Sequence, residues 1–106
     1  MKLYHVSPVE NEASILERGL WPNSASRPTC KTYAERTLQG ENLTGIYGFA
    51  DLWDAEGFAI DNQGMEANVI VAFDVPEGCE VLDDPEYDGQ AFFVVTGEPV
   101  EVEKIA

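Results

Sequence analysis

The order of apolar and polar residues along the chain predicts five or six strands. The clearest is ANVIVAFDV, residues 67–75, because a near-continuous apolar run is expected of a strand in the middle of a sheet. PVEVEKI, residues 99–105, alternates apolar and polar positions, which is typical of a strand with one exposed face. The other predicted strands are short runs rich in apolar and aromatic residues: KLYHV (2–6), GIYGF (45–49), CEVLDD (79–84) and AFFVV (91–95).

SPVE, residues 7–10, predicts the start of a first helix. Ser7 can cap it, Pro8 suits the first helical position, and Glu10 can complete a capping box. Apolar residues then recur at spacings of four, three and four, which predicts an amphipathic helix of about 12 residues that ends at Gly19. The apolar stripe comprises Val9, Ala13, Leu16 and Leu20, widened by Ile15.

ADLWDAEGFAIDNQG, residues 50–64, predicts a second helix with Asp51 as its cap. Its apolar side comprises Leu52, Ala55, Phe58 and Ala59. Residues 31–43 are ambiguous and could hold a further short helix. Together these elements predict an α+β fold with a mostly antiparallel sheet of about five to six strands and two or three helices. At 106 residues, the chain is expected to form a single domain over residues 1–106.

Charge is distributed very unevenly along the chain. Twenty acidic residues face six basic ones, for a net charge of −14. Residues 1–50 are neutral overall, whereas residues 51–106 hold fifteen acidic residues and Lys104 as their single basic residue. This charge disfavours direct contact with nucleic acid or an anionic membrane and favours a basic protein surface as partner.

The sequence shows no sign of export or membrane insertion. No run of 18 apolar residues is present, the N-terminus does not resemble a signal peptide, and two cysteines are too few for a disulfide framework. A cytoplasmic location is therefore expected. Trp21 and Trp53 are expected to pack in the core, and either would become a candidate partner contact if it were exposed.

Several kinds of reactive site are poorly supported. His5 is the single histidine, so a hydrolase triad has one possible base, and Ser7 is assigned to the predicted cap. One histidine and two separated cysteines are a poor supply of zinc ligands. DDPEYDG places Asp84, Glu86 and Asp88 as in a calcium loop, but Val95 stands where such a loop ends in glutamate. The segment is better interpreted as an acidic turn.

A looser pattern remains. The first strand ends in LYHVS, the helix carries an isoleucine followed by Gly19, Leu20 and Pro22, and GIYGF and DAEGFA follow before the C-terminal AFFVVTGEPVEVEKI. This order resembles the ADP-ribosyltransferase-like fold, especially its small His-Tyr-Glu members of phage and bacterial origin. The resemblance covers most of the chain.

The resemblance implies roles for individual residues. His5 matches the first-strand histidine that binds the ribose and nicotinamide part of NAD, and Tyr47 matches the aromatic residue that stacks on the nicotinamide ring. The family glutamate lies at the start of the penultimate strand, where this chain has Gln90, and the next acidic residue is Glu98. Glutamine carries no charge, so the resemblance implies weak transferase activity or none.

NAD carries an anionic diphosphate, which an acidic chain can hold only with a local basic residue. The candidates lie in the neutral first half, and Arg18 is the one assigned to the cofactor. An alternative function is that of a non-catalytic inhibitor that blocks a basic, nucleic-acid-binding surface, in the manner of phage anti-CRISPR or anti-restriction proteins. The acidic residues assigned to such contact are Asp83, Asp84, Glu86 and Asp88.

Overall fold

The computed structural model describes residues 1–24, 44–83 and 89–106. Within these ranges, two helices and two short 3-10 turns accompany one sheet. The helices are α1 (Glu12–Arg18) and α2 (Leu52–Asp61), and the 3-10 turns are Val9–Asn11 and Met65–Ala67. The strands are β1 (Lys2–Pro8), β2 (Asn23–Ser24), β3 (Thr44–Phe49), β4 (Asn68–Asp74), β5 (Glu80–Asp83), β6 (Ala91–Val95) and β7 (Glu103–Lys104).

All registered strand pairs in the described sheet are antiparallel. Six strands follow one another in the order β5-β6-β3-β1-β4-β7, and the two-residue β2 pairs with β3. The predicted α+β fold with a mostly antiparallel sheet is therefore confirmed. Among the described residues, no helix is long and apolar enough to cross a membrane.

The two faces of the sheet are covered differently. One face packs against Ile15 of α1 and the C-terminal segment, and the other packs against Ala55 and Ala59 of α2. Because strand residues alternate between faces, β1 contributes Leu3 to the first core and Tyr4 to the second. The first core consists of Leu3, Ile15, Leu20, Ile46, Val69, Val71, Phe73, Val94 and Val100.

The predicted helix start at Ser7 is wrong. β1 continues through Ser7 and Pro8, which pair with Val69 and Asn68 of β4. Seven registered pairs join these two strands, and their ladder outweighs the local preference of Ser7 and Pro8 for a helix start. Pro8, which has no backbone N–H to donate, is the last residue of this strand.

The first helix is shorter and less amphipathic than its spacing predicts. Val9 and Leu16 of the predicted apolar stripe are 42% and 46% exposed, and Ile15 is the buried residue of α1. The helix ends before Gly19, as predicted, at a φ of +81°. A side chain at Gly19 would place its Cβ 2.4 Å from the carbonyl oxygen of Val100, so glycine is required there.

The second helix and most strands match the predictions. The side chain of Asp51 accepts a hydrogen bond from the backbone N–H of Trp53 at 2.8 Å and caps α2 as expected. The runs GIYGF, ANVIVAFDV and AFFVV form β3, β4 and β6. PVEVEKI is regular only over Glu103–Lys104, and residues 31–43 lie outside the described ranges.

Candidate functional site

The sheet has an opening between β3 and its neighbour β1. Phe49 at the end of β3 pairs with Tyr4 of β1, whereas Thr44 and Gly45 at its start pair with β2. No registered pair joins β1 and β3 beyond Tyr4 in the described sheet, although β1 itself continues to Pro8. The two central strands therefore diverge over the middle of β3, and this opening contains His5.

The imidazole of His5 bridges this opening. Two backbone hydrogen bonds mark the ends of the β3–β6 ladder: the N–H of Thr96 donates to the carbonyl of Thr44, and the N–H of Ala50 donates to the carbonyl of Gln90. Since alternate residues of a strand face alternate edges, the carbonyl of Tyr47 faces away from β6. His5 Nδ1 lies 2.6 Å from that carbonyl oxygen, so a side chain takes the place of a ladder bond.

The contacts of His5 define which ring nitrogen holds the proton. A carbonyl oxygen can only accept, so Nδ1 carries the hydrogen and donates it to Tyr47 O. Nε2 then presents a lone pair, which accepts the hydroxyl hydrogen of Ser7 at 2.8 Å. Burial lowers the pKa of His5 below its usual 6.5, and the bond to the Tyr47 carbonyl offsets that only in part. The ring is therefore neutral near pH 7.

Ser7 is the residue of this site that the sequence reasoning missed. It is 7% exposed and lies two residues after His5 on the same strand, hence on the same face. The spacing His-x-Ser would have suggested the contact if residues 2–8 had been assigned to one strand. Its hydroxyl holds the imidazole in place, which is a different role from the predicted helix cap.

Tyr47 meets His5 through its backbone, and its ring lies elsewhere. The ring packs edge-on against Phe93 of β6 with centroids 5.1 Å apart, in a cluster that includes Leu82. Alternation along β3 puts this ring on the face opposite Ile46, whereas His5 shares the face of Leu3. The structure thus brings the ring of His5 to the backbone carbonyl of Tyr47 and not to its ring.

Gln90 and Glu98 lie at opposite ends of β6. Gln90 precedes the strand, is exposed, and its carbonyl accepts from Ala50 at the end of β3. Glu98 lies in the turn after the strand, where its backbone N–H donates to the Thr96 hydroxyl at 3.1 Å. The five residues of β6 span about 17 Å between them, so one of the two at most can serve a site beside His5.

The remaining predicted contacts are spread over the surface. Arg18 lines a pocket with Gly19 and Val100, where Glu17 and Glu101 add negative charge. Asp83 is exposed at the end of β5, the outermost strand of the described sheet. The other acidic residues predicted to contact a partner, Asp84, Glu86 and Asp88, lie outside the described ranges.

The prediction that both tryptophans pack in the core is wrong. Trp21 is 60% exposed and Trp53 is 80% exposed, because Trp53 follows the cap of α2 on the side that faces away from the sheet. Residues 1–24, 44–83 and 89–106 contain no group of three His, Cys, Asp or Glu side chains able to hold a metal ion.

Comparisons with known proteins supply no family for this chain. No protein-family model matches it, and neither the curated proteins nor the solved structures contain a significant match.

Proposed function

We propose that this chain is an ADP-ribosyltransferase-like domain that binds NAD beside His5 and transfers ADP-ribose weakly or not at all. The observation that carries the proposal is the neutral imidazole held in the opening between β1 and β3. A histidine on the first strand with a tyrosine on the neighbouring central strand is the arrangement that the sequence resemblance implies. The fold does not require an imidazole at this position, since a backbone amide could satisfy the Tyr47 carbonyl equally well.

The protonation of His5 suits a ribose hydroxyl. Nδ1–H is engaged with Tyr47 O, so Nε2 is the atom that can accept a hydrogen bond from a ligand. A hydroxyl group already occupies that position in the form of Ser7 Oγ at 2.8 Å. A ribose hydroxyl would replace it with the same bond geometry. Because the ring is fixed before the ligand arrives, little ordering of the protein is needed on binding.

The proposed weak activity follows from Gln90. Loss of nicotinamide leaves a positively charged sugar centre, which a nearby carboxylate stabilises. Gln90 immediately precedes β6, and its carbonyl accepts a hydrogen bond from Ala50, three residues after Tyr47. Glu98 lies at the other end of β6, two residues beyond Thr96, whose N–H donates to the Thr44 carbonyl. Gln90 is therefore the better candidate for the family position, and its amide carries no charge.

Thermal unfolding with NAD tests the binding step. At a ligand concentration ten times the dissociation constant, stabilisation is about 1.4 kcal/mol. That corresponds to a rise in Tm of about 6 to 11 °C for a domain of this size. His5→Asn should abolish the rise because asparagine can still donate to the Tyr47 carbonyl but offers no ring lone pair. Trp21→Ala is the control and should keep it. No rise with millimolar NAD would refute NAD binding.

Restoring the carboxylate tests the catalytic part. Gln90→Glu should raise release of nicotinamide from NAD by about 10²-fold over the unmodified chain, as expected for one well-placed electrostatic group. Glu98→Gln should leave that rate unchanged. If Glu98→Gln abolishes turnover and Gln90→Glu has no effect, Glu98 holds the role instead and the chain is an active enzyme.

A second candidate function is the non-catalytic inhibitor of a basic surface, which we propose on the charge of residues 51–106. Exposed Asp83 on the outermost described strand supports it. Binding to a basic protein surface should weaken steeply as the salt concentration rises. Reversing the charges of Asp83, Asp84, Glu86 and Asp88 together should weaken that binding further. Salt-independent binding would contradict this function.

A further inference from the structure

The outer face of α2 combines a large exposed aromatic side chain with a position that carries no side chain. Trp53 is 80% exposed and Ile60 is 60% exposed, and their spacing of seven residues puts them on one side of the helix. Gly57 lies between them, and a Cβ built on it would meet no atom within 4 Å. The helix thus presents an indole beside a groove whose floor is backbone.

This groove is part of a pocket of about 440 Å³. The indole of Trp53 and the ring of Phe49 form apolar walls, and the carboxylates of Asp54 and Asp61 lie along the helix. Gln90 closes the side nearest β6. An apolar wall with two carboxylates at its rim is chemically suited to a flat cation.

No cation of the chain's own neutralises this surface within the described residues. Residues 51–103 contain no lysine or arginine at all. Lys104 forms an ion pair with Glu12 at the far side of β7, so it is engaged elsewhere. No ion pair of the described structure involves a carboxylate of α2, and that charge therefore remains available to a partner.

We propose that this surface, defined by Trp53, Gly57, Ile60, Asp54 and Asp61, docks an arginine-bearing basic segment of a partner protein. A guanidinium group stacks on the indole face, and its N–H groups donate to the two carboxylates. Arginine fits better than lysine because its guanidinium group is planar, so it can stack on the indole while its N–H donors point outward in the same plane. An anionic ligand is excluded by the same carboxylates.

The inference is independent of the proposed NAD binding, and it deepens the second candidate function, because Asp54 and Asp61 belong to the acidic residues 51–106 on which that function rests. It uses a helix face that contains neither His5 nor Asp83, and binding at α2 requires no NAD. Gln90 borders the pocket but is not one of the residues that define the surface. A chain that binds no NAD can still dock a basic segment here. The two sets of experiments can therefore succeed or fail separately.

Titration of ¹⁵N-labelled protein with nona-arginine tests the inference directly. The chain has two tryptophans, and each gives one indole N–H signal. The Trp53 signal should shift and saturate, while the Trp21 signal, from an indole that is also exposed but lies in the neutral half, should not. Nona-lysine should bind more weakly, with the same signal affected.

Matched variants separate a specific site from general charge attraction. Trp53→Ala should weaken nona-arginine binding by about fivefold or more, and Trp21→Ala should leave it unchanged. Asp54→Asn and Asp61→Asn should each weaken binding more than Asp74→Asn, which removes the same charge from an exposed site at the end of β4. If all three acid variants have equal effects, or both indole signals shift together, the peptide binds by net charge alone and the inference is overturned.

Discussion

The half-buried imidazole of His5 should make the stability of this protein depend on pH in a defined direction. Its pKa is lowered in the folded chain by burial, while in the unfolded chain it returns to 6.5. Between the two values the unfolded chain binds more protons than the folded one, so the free energy of unfolding rises with pH. The stabilisation is fully present above pH 6.5 and is lost as pH falls toward the folded pKa.

The magnitude of this pH dependence follows from the linkage between proton binding and unfolding. The slope has an upper limit of about 1.4 kcal/mol per pH unit, which is the value for one proton. With a urea m-value of about 1 to 1.5 kcal/mol/M for a chain of this length, the unfolding midpoint should fall by at most about 1 M per pH unit. His5 is the only histidine, so no other imidazole contributes in this window.

Urea unfolding of the unmodified chain and of His5→Gln, from pH 5 to 8, isolates the effect. Carboxylates and the N-terminal amine titrate in both proteins, so the difference between the two curves reports His5. That difference should rise from pH 5 and become flat above about pH 7.5. A single imidazole NMR signal should also titrate below 6.5 in the folded chain. A folded pKa at or above 6.5, or a flat difference curve, would refute the proposed neutral ring.

Three further substitutions test the packing that positions the site, each measured by its urea midpoint. Gly45→Ala should lower the free energy of unfolding by about 2 to 3 kcal/mol, because its Cβ would lie 2.0 Å from the Val94 carbonyl oxygen. Gly97→Ala is the control: open space surrounds that position, so the free energy of unfolding should change by less than about 0.5 kcal/mol. Equal effects of the two would contradict the close approach of β3 and β6. Asn68→Ala should lower the free energy of unfolding by about 1 to 3 kcal/mol, since the Asn68 amide donates to three backbone carbonyls in the segment from α2 to β4. An unchanged free energy of unfolding would mean that water replaces those bonds. Asp51→Ala should cost about 1 kcal/mol by removing the cap of α2, and no loss would show that the cap bond is dispensable.

The elements with strong local signals could be predicted from the sequence. The apolar run of β4 and the cap and buried alanines of α2 depend on neighbours in the chain, and the structure has them where the pattern predicts. The start of α1 could not be predicted in the same way. Ser7 and Pro8 favour a helix locally, but pairing with Val69 and Asn68 keeps them in β1.

In the candidate site, too, the sequence determines some features and the tertiary structure determines others. The residue types His5, Tyr47 and Gln90 and their order along the chain are evident in the sequence, which also determines the acidic charge of the second half. Only the tertiary structure decided that the ring of His5 meets the Tyr47 carbonyl and that Trp53 faces outward. These facts depend on which strand edges meet and which helix face is covered, and such contacts join residues far apart in the chain. Local propensity and periodicity determine elements, whereas the packing of elements determines the environment of each side chain.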